Sequence, residues 1–183
     1  MSKSSAPARV IQAYGTWEKN PIALPVESAR AVGERLDALC ASEYVLFHQL
    51  KKHHWLVVGA EYLPVHEFLD RLADHARLAG DKLAERVTAL GGVPTGAPRG
   101  QQDLAVFAYE ETEDAVDVRT MLGRDLSAEQ AIVVQLRKDI DACREAHDYG
   151  TKELLEDLLL EHEEEAHHID HWLERDTLVV PPR

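Results

Sequence analysis

One stretch of the sequence decides the fold: residues 64–92, which read PVHEFLDRLADHARLAGDKLAERVTALGG. Apolar residues recur in it at the three- and four-residue spacing of an amphipathic helix. Proline is favoured in the first turn of a helix and glycine just after the last one, so a helix is predicted from near Pro64 to Gly91-Gly92. Its predicted core face carries Val65, Leu69, Leu72, Ala76, Leu83, Val87 and Leu90.

A different face of this helix carries four side chains that can bind metals: His66, Asp70, Asp81 and Glu85. At about 100° per residue they fall within an arc of about 100°, away from the core face. One helix cannot bring all four to a single ion, because His66 and Glu85 are roughly 28 Å apart along its axis. Taken alone, the four residues are equally typical of a charged face exposed to solvent.

The four positions are symmetric about the middle of the helix, between residues 75 and 76. His66 precedes this point by as many residues as Glu85 follows it, and the same holds for Asp70 and Asp81. An antiparallel second copy crossing there would place His66 opposite Glu85 of the partner subunit. A two-fold interface requires such a self-complementary pattern. The sequence therefore predicts a metal site between two subunits.

A preceding helix is predicted over about residues 25–58, and the connection between the two helices centres on Ala60. His54 and His66 are equidistant from Ala60, so they face each other across the predicted hairpin. Two imidazoles of one subunit would then meet two carboxylates of the other, with Asp70 as an extra ligand or a supporting partner. Mixed histidine and carboxylate ligands suit iron, zinc or manganese. For His54 alone, a partly buried histidine at a helix end is the alternative.

Two more long helices are predicted over about residues 114–148 and 151–175, with Gly150 as the break between them. Residues 91–113 contain Gly, Pro and a short apolar run at 104–109, and they predict a long crossover in which a short helix can form. Two short connections and one long one are typical of an all-α, ferritin-like four-helix bundle. The predicted organisation is an N-terminal arm (1–24), the bundle (25–176) and a C-terminal tail (177–183).

Composition narrows the class of protein. The chain has 183 residues, 45% of them hydrophobic, which is enough for one domain with a substantial core. A net charge of −13 opposes general binding to nucleic acid or anionic membranes and favours cations. Cys40 and Cys143 form no metal-type pair, so a reducing, cytoplasmic compartment is expected. Neither a secretory signal nor a membrane span is expected.

The stretch from Tyr44 to Gly92 resembles the Dps family, the ferritin-like mini-cages of starved or oxidatively stressed prokaryotes. The spacings from His54 to His66, from His66 to Asp81 and from Asp81 to Glu85 are those of the family's ferroxidase centre. A weaker resemblance extends over about residues 26–175. The matching segments are His53-His54-Trp55, Val65-His66-Glu67 with Asp70, Asp81-Lys82-Leu83-Ala84-Glu85-Arg86 and Leu90-Gly91-Gly92.

This resemblance implies a hollow homododecamer with tetrahedral symmetry that works as a ferroxidase and iron store. Fe(II) would be oxidised at the dimer interfaces, preferably by hydrogen peroxide, and the ferric product stored as a mineral core. Iron is then substrate and cargo, and the cage protects the cell against oxidative damage. The implied ferroxidase ligands are His54, His66, Asp70, Asp81 and Glu85.

The same resemblance places Trp55 beside the ferroxidase centre, where it would intercept radical equivalents; a packing role at the helix end is the alternative. On the last helix, four side chains share one face that would line the cage cavity and nucleate iron. A solvated face is the alternative for any one of them. These side chains are Asp157, Glu161, Glu164 and His168.

An acidic pore is the expected route for iron into the cage. Asp148 lies at the turn between the last two helices, where the resemblance places a three-fold pore. Asp139, Asp141 and Glu145 are nearby alternatives.

One alternative function is an in-bundle di-iron protein similar to bacterioferritin. That site takes a Glu from each of two helices and a Glu-x-x-His motif from each of the other two. The last helix has two such motifs, starting at Glu164 and Glu165, and Glu43 lies in the core stripe of the first helix. The two middle helices lack the motif, so this alternative is not favoured. His162 falls on the core side and is predicted to be a satisfied buried histidine.

A second alternative is a DNA-binding cage with little ferroxidase activity. Some Dps proteins bind DNA through lysine-rich tails, whereas the first 24 residues here carry only Lys3, Arg9 and Lys19. Direct DNA binding is therefore not expected. A plain structural bundle without metal would leave the symmetry of the four helix positions unexplained.

Overall fold

The computed structural model describes residues 8–109 and 113–174 of the chain. Within these residues the chain forms five helices and no strand. The four long helices form a bundle, and the short one lies in the crossover and packs on the first. The predicted all-α bundle with one long crossover is thereby confirmed. The helices are α1 (Val26–Leu56), α2 (Tyr62–Ala89), α3 (Pro98–Leu104), α4 (Val118–Glu145) and α5 (Tyr149–Leu173).

Helices α1 and α2 form an antiparallel hairpin in the predicted register. The rings of His54 and His66 stack on each other, and the Cys40 thiol donates to the carbonyl oxygen of Gly80 at 3.4 Å. Both pairs are equidistant from Ala60 along the chain. The close approach at Gly80 depends on its missing side chain, because a Cβ there would lie 3.0 Å from the Tyr44 ring.

The core lies between the four long helices and is built mainly from leucine, with each fully buried leucine contributing about 1.5–3 kcal/mol. Both cysteines are buried and unpaired, and burial raises the pKa of Cys40 and of Cys143 to about 12. No described helix is long and apolar enough to cross a membrane. The largest buried side chains are those of Leu36, Leu39, Leu46, Leu50, Leu69, Leu72, Leu83, Leu90, Met121, Ile132, Leu136 and Leu155.

Polar side chains of α1 hold the crossover and the N-terminal arm against the bundle. The Asp37 carboxylate accepts hydrogen bonds from the Thr95 amide and the Tyr14 hydroxyl, both at 2.7 Å. The Ser42 hydroxyl accepts one from the Val106 amide at 2.9 Å. These bonds satisfy crossover backbone that no regular ladder pairs.

The crossover contains one short helix, α3, within the range predicted for the crossover. Helix α3 begins at Pro98, a residue suited to a first helical turn, and ends at Leu104. In the apolar run that follows, Val106 and Phe107 pack against the core. An apolar run shows that a segment is buried, and here burial does not require a helix.

Two helix boundaries differ from those predicted. Helix α4 begins at Val118 rather than near 114, because the Asp117 carboxylate accepts the Thr120 amide at 2.9 Å and caps the helix there. The break before α5 is made by His147, whose φ is 58°, in the left-handed region. Gly150, predicted to be the break, lies in the first turn of α5.

The N-terminal arm, from residue 8 onward, lies on the bundle of its own chain. The Gln12 amide group and the Glu18 backbone amide both donate to the Gly91 carbonyl oxygen at 2.9 Å. The Trp17 indole sits against Gly33 and Gly92, so closely that a Cβ at either glycine would overlap it. Residues 1–7 and the predicted tail 177–183 lie outside the described part of the chain.

Two glycine substitutions test how firmly the arm is packed. Gly33→Ala should lower the melting temperature, because the added methyl displaces Trp17 at a cost of about 1–3 kcal/mol. The control is Gly123→Ala in α4, where a Cβ meets open space and helix propensity should add up to about 1 kcal/mol. Thermal unfolding at one fixed protein concentration compares them. Equal melting temperatures for both variants would show that the arm is not held by this contact.

Candidate metal centre

Two histidines meet at the tip of the α1/α2 hairpin. The rings of His54 and His66 lie with centroids 3.7 Å apart and an interplanar angle of 22°. The Nδ1–H of each ring donates to the backbone carbonyl oxygen of the other residue, at 2.9 Å in both cases. This reciprocal pair of hydrogen bonds fixes both rings relative to both helices.

The hydrogen bonds also fix the tautomer. Because a carbonyl oxygen can only accept, Nδ1 carries the proton in both rings, and each neutral ring keeps its lone pair on Nε2. A neutral imidazole with its other nitrogen bound to a carbonyl is a typical metal-ligand arrangement. The structure therefore gives His54 and His66 the chemistry expected of a paired ligand set.

Asp70 is close to this pair but is also bound to a lysine. Its Oδ1 lies 3.8 Å from His54 Nε2 and 2.5 Å from the Lys51 ammonium. The hydrogen bond from Lys51 lowers the pKa of the Asp70 carboxyl, which favours its charged form. Asp70 thus fits a supporting partner of a cation at least as well as a direct ligand.

Asp81 and Glu85 lie on the same helix but far from the histidines. Both are exposed, and they are roughly 22 and 28 Å from His66 along α2. A single chain brings His54, His66 and Asp70 together and leaves these two carboxylates apart. The inter-subunit site remains a prediction, and a second copy of α2 is needed to complete it.

The remaining candidates near the bundle surface take varied positions. Trp55 follows His54 and is 71% exposed in the single chain. On α5, Asp157 is exposed, while the other three members of its predicted face line one cleft of about 190 Å³ together with side chains of α2. The cleft is lined by Arg71, His75, Glu161, Glu164, Glu165 and His168.

Asp148, the first candidate for the pore, is a buried helix cap. Its carboxylate accepts hydrogen bonds from the Thr151 amide at 3.0 Å, from the Thr151 hydroxyl and from the Arg86 guanidinium at 2.8 Å. Of the alternatives, Asp139 is also buried, whereas Asp141 and Glu145 are exposed. The geometry gives Asp148 a structural role, and the position of a pore stays a prediction.

One cluster brings together residues that the sequence indicated only separately. Four buried side chains meet inside the bundle: Glu43 of α1, Glu129 of α4, and His162 and Glu165 of α5. The burial predicted for His162 is confirmed, since it is 3% exposed. The sequence placed Glu43 in a core stripe and Glu165 in a Glu-x-x-His motif. Glu129 carries no motif and was missed.

Known proteins define the class to which this bundle belongs. The family model described as a ferritin-like domain matches residues 33–179. Among solved structures, an archaeal Dps homologue from Halobacterium salinarum superposes with a TM-score of 0.90 at 39% identity, over 97% of this chain and 98% of that one. DpsC from Streptomyces coelicolor gives a TM-score of 0.89 at 32% identity, over 94% and 100% of the two chains. The class is that of the ferritin-like proteins.

Curated relatives narrow the class to one family. The chain is 42% identical over 157 residues to the "DNA protection during starvation protein" of Halobacterium salinarum, covering 86% of each chain. It is 38% identical to the "Nutrient stress-induced DNA-binding protein" of a Synechococcus strain, over 92% of this chain and 96% of the relative. The chain belongs to the Dps family.

Substitutions at Asp148 distinguish a helix-capping role of this residue from a role in an iron pore. Asp148→Ala should lower the melting temperature by an amount corresponding to about 1–2 kcal/mol, because the α5 cap is lost. Asp148→Asn, which can still cap, should retain more of the stability. Exposed Asp141→Ala is the matched control. Unchanged stability with slowed iron uptake in Asp148→Asn would instead establish a pore role.

Proposed function

We propose that this chain is the subunit of a ferroxidase and iron-storage cage whose oxidation sites lie between two subunits. The observation that carries the proposal is the His54/His66 pair, which presents two Nε2 lone pairs from one rigid hairpin. Asp81 and Glu85 of the partner subunit would supply the carboxylates. The family membership supports the same function.

The exposed face of α2 supports the two-fold pairing. Besides the four candidate ligands, Asp74 and Arg77 are exposed there, and they too are equidistant from the middle of the helix. Within one chain their charged groups are 3.9 Å apart. In an antiparallel pair of α2 helices Asp74 would face Arg77 of the partner subunit, so that charge complementarity extends the symmetry of the ligand positions.

The proposed chemistry follows from the ligand types. The neutral imidazoles bind Fe(II), and the negative carboxylates favour the more highly charged ferric product. Two Fe(II) ions each give one electron to hydrogen peroxide, whose O–O bond breaks. With two protons from solvent, two water molecules form and no hydroxyl radical is released. Asp70, held by Lys51, adds negative charge beside His54.

Storage requires the cage. We propose a hollow dodecamer in which the α5 face with Glu161, Glu164 and His168 lines the cavity and nucleates ferric mineral. Exposed Asp141 and Glu145 are better placed than buried Asp148 to attract iron at a pore.

Protection of DNA is the proposed physiological role, because relatives carry the names "DNA protection during starvation protein" and "Nutrient stress-induced DNA-binding protein". For this chain we propose that protection is chemical, through removal of Fe(II) and peroxide. A net charge of −13 repels phosphate and disfavours coating of the duplex.

A mixing experiment tests whether the site is shared between subunits. The histidine variant, His54→Ala/His66→Ala, and the carboxylate variant, Asp81→Ala/Glu85→Ala, should each oxidise Fe(II) slowly as a pure protein. Co-expression of the two should restore about a quarter of the wild-type rate, because half of randomly formed dimers are mixed and each rebuilds one of its two sites. Exposed His48→Ala is the control and should keep the full rate.

The outcomes distinguish the alternatives. Ferric absorbance after anaerobic Fe(II) loading and peroxide addition gives the rate, and particle mass reports the cage. Full activity in the histidine variant would favour the in-bundle alternative. A wild-type cage without oxidation above the buffer rate would favour the DNA-binding one. Two inactive variants whose mixture stays inactive would reject a shared site.

A charge reversal tests the proposed dimer interface independently of metal binding. Asp74→Arg should weaken the dimer by about tenfold or more, since it opposes two arginines across the two-fold axis. The double variant Asp74→Arg/Arg77→Asp should restore association because the charges are exchanged. Dilution followed by mass measurement compares the three proteins. Equal dissociation in all three would place the dimer interface elsewhere.

A further inference from the structure

The cluster inside the bundle, defined as Glu43, Glu129, His162 and Glu165, has the geometry of a metal site. His162 Nδ1 lies 2.6 Å from Glu129 Oε2 and 3.8 Å from Glu165 Oε2. One ligand atom from each of these three residues lies within 4.8 Å of the other two. Donor atoms around a tetrahedral zinc-like ion are about 3.3 Å apart, so 2.6 and 3.8 Å need only small adjustments.

The far side of the His162 ring is also arranged as at a metal site. Its Nε2 lies 2.9 Å from Glu43 Oε1. Metal-binding histidines usually direct their second nitrogen to a carboxylate or carbonyl, which fixes the ring and increases its basicity. Glu43 is in place for that role, while Nδ1 faces the two other carboxylates.

Unpaired buried oxygens show that this network is incomplete. Within the described part of the chain, Glu129 Oε1 and Glu43 Oε2 have no hydrogen-bond partner, while Glu43 Oε1 faces His162 Nε2 at 2.9 Å but outside hydrogen-bond geometry. Glu43 is 1% exposed and Glu129 is fully buried. Buried polar atoms are nearly always paired, because a buried carboxylate oxygen without a donor destabilises the fold. A purely structural ion network would be expected to satisfy them.

We propose that this cluster binds one divalent transition-metal ion through His162 Nδ1, Glu129 and Glu165, with Glu43 as the positioning residue for the ring. One nitrogen and two carboxylate ligands suit Fe(II), Mn(II), Co(II) or Zn(II). The site lies wholly within one chain, so it is separate from the proposed inter-subunit centre and does not depend on it.

A route to the cluster exists from the surface of α5. The cleft of about 190 Å³ is lined by the exposed Glu161 and Glu164 and by the buried Glu165. The Glu165 carboxylate shares a hydrogen bond of 2.6 Å with Nδ1 of His75, whose side chain is 45% exposed. A cation attracted by the outer acids thus reaches a ligand of the buried site, and His75 has only to release Glu165.

The surroundings of Glu165 and His162 shift the pKa values of both side chains. Burial and the nearby charge of Glu129 raise the pKa of Glu165 to about 9. Burial alone would lower the pKa of the His162 ring, but the charges of Glu43 and Glu129 raise it well above its usual value.

Cobalt binding in the histidine variant tests the proposal, because that variant lacks the inter-subunit histidines. After dialysis against Co(II) and gel filtration, the variant should retain about one ion per chain, with visible ligand-field absorbance. Adding Glu129→Gln or His162→Gln should abolish retention. Adding Glu43→Gln should weaken binding about 10–100-fold. Adding exposed Glu153→Gln, on the same helix, is the control and should change nothing.

Two results would overturn the proposal. One is that the histidine variant retains no Co(II) above the buffer blank, which decides the question even if a further variant fails to fold. The other is that retention survives both Glu129→Gln and His162→Gln, which would assign the ion to the α5 surface. Neither result bears on peroxide-driven oxidation in the wild-type cage, so the two proposals can fail separately.

Discussion

The paired hydrogen bonds between His54 and His66 are the constraint on which the proposed centre depends. Each imidazole binds the backbone of the other helix, so the register of α1 on α2 and the orientation of both rings are set together. A slip of one helix by one residue would break both bonds. The leucine core stabilises the bundle, whereas these two hydrogen bonds orient the two histidine rings.

Buried charged side chains connect the α4/α5 hairpin to the α1/α2 hairpin. Asp125 of α4 accepts hydrogen bonds from Gln49 and bonds the His53 ring, both from α1, at 2.8 Å. Nearer the other end of α1, Arg35 pairs with buried Asp139 at 2.8 Å. Buried pairs add little net stability but are costly to separate, so they favour one packing of the hairpins over others. Between these two contacts lies the cluster of Glu43, Glu129, His162 and Glu165. It differs from them in having unpaired carboxylate oxygens.

Features that depend on local spacing could be predicted from the sequence. The α1/α2 register follows from the short connection around Ala60, because a tight hairpin pairs residues equidistant from its centre. The face of α2 follows from helical periodicity. Where a boundary depends on one capping side chain, as at Asp117, or on one residue with positive φ, as at His147, periodicity gave only an approximate position. The position of the short helix within the crossover could not be predicted, because apolar content indicates burial and not backbone conformation.

By itself, then, the sequence determined the all-α bundle, its hairpin register and the symmetric placement of the candidate ligands on one face of α2, since each depends on distances along one helix or one turn. Only the tertiary structure decided which nitrogen of each histidine is available and that Asp148 is a cap. The tertiary structure alone showed that Glu129 lies beside His162 and Glu43. Those side chains come from three helices, and their meeting depends on how each helix is rotated and how deeply it packs, which spacing along the chain does not encode.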